Sequence, residues 1–168
     1  MRRDAMAGVL GVRGRVRWKM RHRLKAGDIG RIVSLHGVLY ARAYGYDRIF
    51  EAYVAAGLAE FVRGFRPDRD RIWVAEAGGQ IIGSVAIVGR PRRAAQLRWF
   101  LVPPAYRGHS LGSRLMRAAL RFCRSRGYRT VFLWTTSELE AAGRLYARFG
   151  FTKTAEKTHR IWGRKVTE

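Results

Sequence analysis

"PPAYRGHSLGSRLMRAALRFC", residues 103–123, decides the fold. Its two prolines cannot donate to a sheet ladder, so they end the strand before them. Its second half puts Leu111, Leu115, Met116, Ala119, Leu120 and Cys123 at helical spacing, one apolar stripe on an arginine-rich helix. Between them lies Arg107-Gly108-His109-Ser110-Leu111-Gly112, a glycine-rich turn running into a helix start. The first turn of an α-helix leaves about four amide N–H groups unpartnered and carries partial positive charge. Glycines ahead of it let an anion approach the backbone. Arg107 to Gly112 therefore suits a phosphate or pyrophosphate, gripped by main-chain amides with a charge-assisted bond from Arg107. The turn is no Walker loop, since no Gly-Lys-Ser/Thr follows, and it lacks the Gly-x-Gly-x-x-Gly of dinucleotide folds.

Upstream, Ala95 to Val102 reads as the strand the prolines halt. Ile72 to Glu76, a Gly78-Gly79 turn and Gln80 to Val88 predict a hairpin, followed by a basic loop from Gly89 to Arg93. Two helices come earlier. Ile29, Ile32, Leu35, His36, Leu39 and Ala43 mark the first, with Asp28 as its N-cap and Gly45 as its stop. Asp47 caps the second, whose apolar face includes Phe50, Val54, Leu58 and Phe61. Met20 to Lys25 reads as an opening strand. Downstream, Thr130 to Trp134 predicts a strand buried on both faces. Glu138 to Phe149 predicts a helix ended by Gly150, and Phe151 to Val166 offers one or two closing strands. The order β-α-α-β-β-β-α-β-α-β(-β) predicts an α/β (α+β) fold, a mixed central sheet with helices on both faces.

Composition narrows the function. A chain of 168 residues, 48% apolar, has enough hydrophobic material for one domain with a sizeable core. The lone Cys123 excludes an internal disulfide and suits a reducing cytoplasm. No apolar run approaches a membrane span, and Asp4 with the early arginines argues against a signal peptide. The net charge of +22 attracts polyanions. Basic residues crowd the first 25 positions, so residues 1–19 are expected to form a flexible basic extension and 20–168 the folded domain. No His, Cys or Asp set has metal-ligand spacing.

The strand Leu97 to Val102 followed by Arg107-Gly108-His109-Ser110-Leu111-Gly112 resembles the acetyl-CoA motif of the GNAT N-acetyltransferase superfamily. Leu145-Tyr146-Ala147-Arg148-Phe149-Gly150-Phe151 resembles that family's second motif. His36 to Asp47, Phe132 to Ser137 and Glu156 to Gly163 are similar to the acetyltransferase half of bacterial MarR–GNAT fusion proteins, with no winged-helix regulator half and no DNA binding expected. The resemblance implies acetyl-CoA as co-substrate, no metal, and direct attack by a primary amine in a ternary complex. It places the pantetheine arm along the strand ending at Leu101 and Val102, and the diphosphate on Arg107, Gly108, His109, Ser110, Leu111 and Gly112. Tyr146 stands where the family has the tyrosine that protonates the leaving thiolate.

Ser110 departs from the glycine usual there; at positive φ it would cost about 1 kcal/mol. The glutamate many relatives carry on the preceding strand is missing from residues 95–102. Glu76, Asp47, Glu51 and Glu138 are the nearest carboxylates by element, each also readable as a surface or capping residue. His36, Tyr40 and Tyr44 are expected to line an acceptor pocket, and Cys123 to be a core residue. The expected acceptor is a small-molecule or amino-acid amine, neutral or acidic given the charge, less readily a protein. A basic nucleic-acid-binding module and a non-catalytic CoA sensor are the alternatives. Neither a specific nucleic acid nor a membrane partner is expected, and a homodimer is left open.

Overall fold

The computed structural model describes residues 17–168. The expected basic extension lies almost wholly outside them, but its last residues belong to the fold. β1 (Lys19–Arg21) is a sheet strand, and Trp18 packs on the core beneath the Arg114 guanidinium, 4.4 Å from its ring centroid. β1 stops well short of Lys25 because Arg21 turns away to hold Asp28. Its Nη1 and Nη2 donate to the two Asp28 oxygens at 2.6 and 2.9 Å, and its Nε donates to Glu76 at 2.9 Å.

Asp28 opens α1 (Asp28–Tyr44) as its first residue, so it is not the N-cap. That position belongs to Gly27 at φ 86, while Asp28 also accepts the Lys25 amide at 2.6 Å. Burial raises the Asp28 pKa, but the bonds from Arg21 and Lys25 outweigh it and hold the carboxyl below its ordinary range. Gly45 ends α1 in the left-handed region at φ 69. Asp47 caps α2 (Arg48–Arg63) as expected, accepting from the Ile49 amide at 2.9 Å.

β2 (Arg71–Ala77) and β3 (Gln80–Arg90) form the predicted hairpin through Gly78 and Gly79, both at positive φ as a tight primed turn requires. β3 runs through Arg90, so the basic loop is shorter than expected. β4 (Ala94–Leu101) ends at Pro103-Pro104, and a 3-10 turn leads to α3 (Leu111–Ser125). β5 (Thr130–Phe132), α4 (Glu140–Arg148), β6 (Thr158–Ile161) and β7 (Arg164–Thr167) complete the chain.

Five strands form one sheet in the order β1-β2-β3-β4-β5, antiparallel except for the parallel β4–β5 pair. Strand alternation fills both faces. Trp73 and Ala75 face α3 with Leu115, Met116 and Phe122, while Ile72 and Val74 face α1 and α2 with Ile32, Leu58 and Phe61. β6 and β7 pair only with each other, apart from that sheet. Their hairpin is tied on where Trp162 O accepts the Asp47 amide and Thr167 O accepts the Ser137 amide.

The expectation that Thr130 to Trp134 is buried on both faces fails. β5 is the sheet's edge, only Thr130, Val131 and Phe132 pair with β4, and Trp134 is 58% exposed.

Candidate active site

β4 outruns its parallel partner. Ala94, Ala95 and Gln96 pair with β5, but β4 continues to Leu101 while the chain after Phe132 veers away. Beyond Gln96, that side of β4 is open. The same stretch is distorted on its β3 side. Ser84 faces Leu101 and Ala86 faces Arg98, so β4 carries one residue more than β3 between these pairs, a β-bulge. Trp99 sits there at φ 47, a left-handed conformation costly for a bulky side chain, and the buried Ser84 hydroxyl donates to its carbonyl at 2.7 Å. A strand kinked and unpaired in the middle of a sheet is a place for a ligand.

Two cavities flank this segment. The outer cleft, about 520 Å³, is of the size ligand sites usually have. Its floor is Phe100, Leu101 and Val102; its upper end is Arg107, Gly108, Ser110, Leu111, Gly112 and Ser113, with α1 and α4 as walls. Gly108 at φ 79 and Ser110 at φ 61 turn the chain into α3. The strained alternative for Ser110 is therefore the one realised, and its side chain makes no capping bond to α3. A Cβ on Gly112 would lie 3.4 Å from Leu145 and Phe100, so a larger side chain would fill the cleft. Arg107 is partly committed: its Nε donates to Val102 O at 3.0 Å, which takes that carbonyl from any ligand and leaves the terminal guanidinium nitrogens. His109 is exposed and is the one predicted phosphate-loop residue that does not line the cleft.

The inner chamber, about 110 Å³, occupies the fork between β4 and the chain after β5. Tyr40, Phe100 and Leu139 line both spaces and form the partition between them. His36, Trp99, Thr135 and Tyr146 border the chamber. Tyr53, Trp134 and Trp162, also at its border, had not been singled out for the site from the sequence.

Tyr146 is both a core aromatic and a site residue. Its ring packs 5.9 Å from Phe100 and from Phe151, yet it borders the chamber. Burial, reinforced by Tyr40, pushes its pKa above the ordinary tyrosine value, so it stays a neutral phenol. His36 is fully enclosed, and burial lowers its pKa to about 4. Its Nδ1 lies 2.8 Å from Ile32 O, which can only accept, so Nδ1 carries the proton and Nε2 is a bare acceptor. Tyr40 joins both cavities, whereas Tyr44 lines only the outer one, so the expected acceptor trio is divided.

The carboxylates are engaged elsewhere. Glu76 binds Arg21 and Lys25, Asp47 caps α2, and Glu138 accepts from Tyr46 while facing Arg164 at 3.4 Å. Glu51 is exposed beside Gly37. Glu168 lines the chamber, but His159 Nε2 holds it at 2.5 Å. Cys123 is buried and its thiol is pushed up to about 12 by burial, as a core residue should be. Among the described residues no cluster could hold a metal ion, and no helix is long and apolar enough to cross a membrane.

A mixed sheet forked beside a bulged strand, with a glycine-rich helix start at one end of the opening, makes a site open to an extended ligand with an anionic end. The model of the Acetyltransferase (GNAT) family matches residues 37–151, and the chain belongs to that family. It is 36% identical over 105 residues to rat (Rattus norvegicus) N-acetyltransferase 8, covering 59% of this chain and 47% of that one. It spans about half the length of the curated relatives it matches. Among solved structures, a predicted acetyltransferase of Clostridium acetobutylicum with acetyl-CoA superposes with a TM-score of 0.67, at 16% identity over 86% of this chain and 96% of that one. A GNAT-family acetyltransferase of Staphylococcus aureus gives 0.66, at 13% identity over 90% and 98%. At such identities these two likenesses speak for the fold.

Proposed function

We propose that this protein is an N-acetyltransferase moving the acetyl group of acetyl-CoA to a primary amine in a ternary complex. One observation carries the reading: the outer cleft runs without a break from the α3 amides along the open side of β4 to the partition behind which Tyr146 stands. The residues fit the co-substrate. Its diphosphate would meet the amides from Gly108 to Gly112 and the free end of Arg107, where the helix dipole favours negative charge. Its slender arm would lie on Phe100, Leu101 and Val102, and the thioester would arrive at the bulge.

An amide of the bulged strand aimed at the thioester oxygen would stabilise the developing oxyanion by about 3–4 kcal/mol. Tyr146 would give the departing thiolate its proton. The buried phenol guards that proton closely, so transfer must coincide with cleavage of the C–S bond. Tyr40, Phe100 and Leu139, which line both the cleft and the chamber, mark where the thioester and an amine would meet.

Thermal melting tests the reading. Acetyl-CoA at about 100 times its Kd should stabilise the protein by about 2.7 kcal/mol, with free CoA acting similarly and oligonucleotides giving only salt-sensitive effects. Free thiol should then appear when an accepted amine is added. A protein that acetyl-CoA does not stabilise is not this enzyme. We also infer a cytoplasmic location, supported by the lone reduced Cys123, and kinship with the acetyltransferase half of MarR–GNAT fusions, supported by the stretches quoted above. DNA binding is not part of that inference.

A further inference from the structure

The inner chamber has features that select an amine. Its interior is small and its exposed border is aromatic: Tyr53 is 50% exposed and Trp134 58%, and both line it. Exposed aromatic faces at the rim of a cavity are docking surfaces for flat apolar groups. Arg98 stands with them. Its guanidinium lies 4.5 Å from the Trp99 ring centroid and 5.6 Å from that of Tyr53, and its Nη2 donates to the Tyr53 hydroxyl at 3.1 Å. It has no carboxylate partner among the described residues. A guanidinium held beside aromatic rings, with donors to spare, can receive a carboxylate.

The interior excludes charge of the other sign. No free carboxylate borders it, since Glu168 is held by His159, and Arg107 acts on Tyr40 from the far side of the partition. The Thr135 hydroxyl is buried there without a partner, and His36 presents a bare Nε2. Both can bond a neutral amine; neither compensates an ammonium. An alkylamine with a pKa of about 10.4 is free base only about once in 2,500 molecules at pH 7, so a site without a base captures it poorly. An amine on an aromatic ring is neutral at that pH.

Resting on the acetyltransferase reading, we propose that the acceptor is a weakly basic amine borne on an aromatic body that also carries a carboxylate. The ring lies against Tyr53 and Trp134, the carboxylate on Arg98, and the amine enters toward His36 and Tyr146. The nitrogen lone pair attacks the thioester carbon, the N–C bond forms and the C–S bond breaks. The proton nitrogen sheds equals the one the thiolate gains, so a neutral amine needs no carboxylate base.

The test is thiol release with a fixed set of amines: 4-aminobenzoate, aniline, 4-(aminomethyl)cyclohexanecarboxylate and spermidine. The expected kcat/KM for 4-aminobenzoate is at least tenfold that of aniline and at least a hundredfold that of the two alkylamines at pH 7. Arg98→Gln should raise the KM for 4-aminobenzoate at least tenfold and leave that for aniline within twofold, with Arg98→Lys between. Trp134→Ala, at an exposed position, should raise KM for both arylamines. Preference for either alkylamine, or an equal effect of Arg98→Gln on both arylamines, overturns the inference. Acetyl-CoA melting on the same samples separates the two failures: stabilisation without arylamine turnover defeats the acceptor class alone, while absent stabilisation defeats the acetyltransferase itself.

Discussion

The outer cleft and the inner chamber share one wall and are built in opposite ways. The cleft is made largely of one continuous piece of chain, residues 100–113, with α1 and α4 as banks. Its chemistry is that of the backbone: amides at a helix start, an open strand, and Gly112, where a larger side chain would intrude. The chamber is made of side chains from α1, α2, β4, the chain after β5, α4 and the β6–β7 turn. A site for a molecule common to a whole family can be written into main-chain geometry. A site for a variable partner has to be assembled from replaceable side chains, and on the acetyltransferase reading proposed above the chamber is that site.

If the division is real, substitutions on the two sides should fail in different assays. The largest effect is expected at Tyr146: Tyr146→Phe should lower kcat by about 100- to 10,000-fold, the range for a lost general acid, while acetyl-CoA still raises the melting temperature as in the wild type. Loss of both would put Tyr146 in the cleft's own architecture.

His36 sharpens the chamber side through pH. Its folded-state pKa of about 4 lies below the 6.5 of the unfolded chain, so on acidification the unfolded chain takes up a proton the folded one refuses. Its contribution is complete above pH 6.5 and fades toward pH 4, a loss of about 3 kcal/mol. Urea unfolding at pH 4.5, 5.5 and 7.5 should show a shallower pH dependence in His36→Gln. An unchanged slope would mean that His36 is hydrated.

Gly112→Val tests the opposite side. It should abolish most of the roughly 2.7 kcal/mol expected from acetyl-CoA at about 100 times its Kd, leaving unliganded melting nearly unchanged, because the new methyls enter the cleft beside Leu145 and Phe100. The smallest effect belongs to Ser110→Gly. Relief of the left-handed serine should stabilise the protein by about 1 kcal/mol, or about 2–4 °C in Tm for a chain of this size.

The same division explains what the sequence disclosed. Element order, the Gly78-Gly79 hairpin, the Asp47 cap and the glycine-rich turn into α3 were legible because each is a local rule acting within a few residues. Asp28 misled because a capping-type residue preceding a helix was drawn instead into a buried pair with Arg21, across a turn no local pattern reports. Thr130 to Trp134 misled for a related reason: an apolar run signals burial in a sheet, and here Leu133 and Trp134 leave the sheet to border a cavity. Tyr146 could be found through its motif. Tyr53, Trp134 and Trp162 could not, since only the folded chain brings them to one opening, and singly each looks like ordinary packing. Arg98 lay hidden among 29 arginines.

The open side of β4 has one more consequence. A strand with unspent hydrogen-bonding groups normally invites another protein's strand and starts aggregation. Here that edge lies along a trench banked by α1 and α4. With a helix on each side, the edge is shielded from the flat approach another sheet would need, so the shelter that could receive a ligand also guards against aggregation.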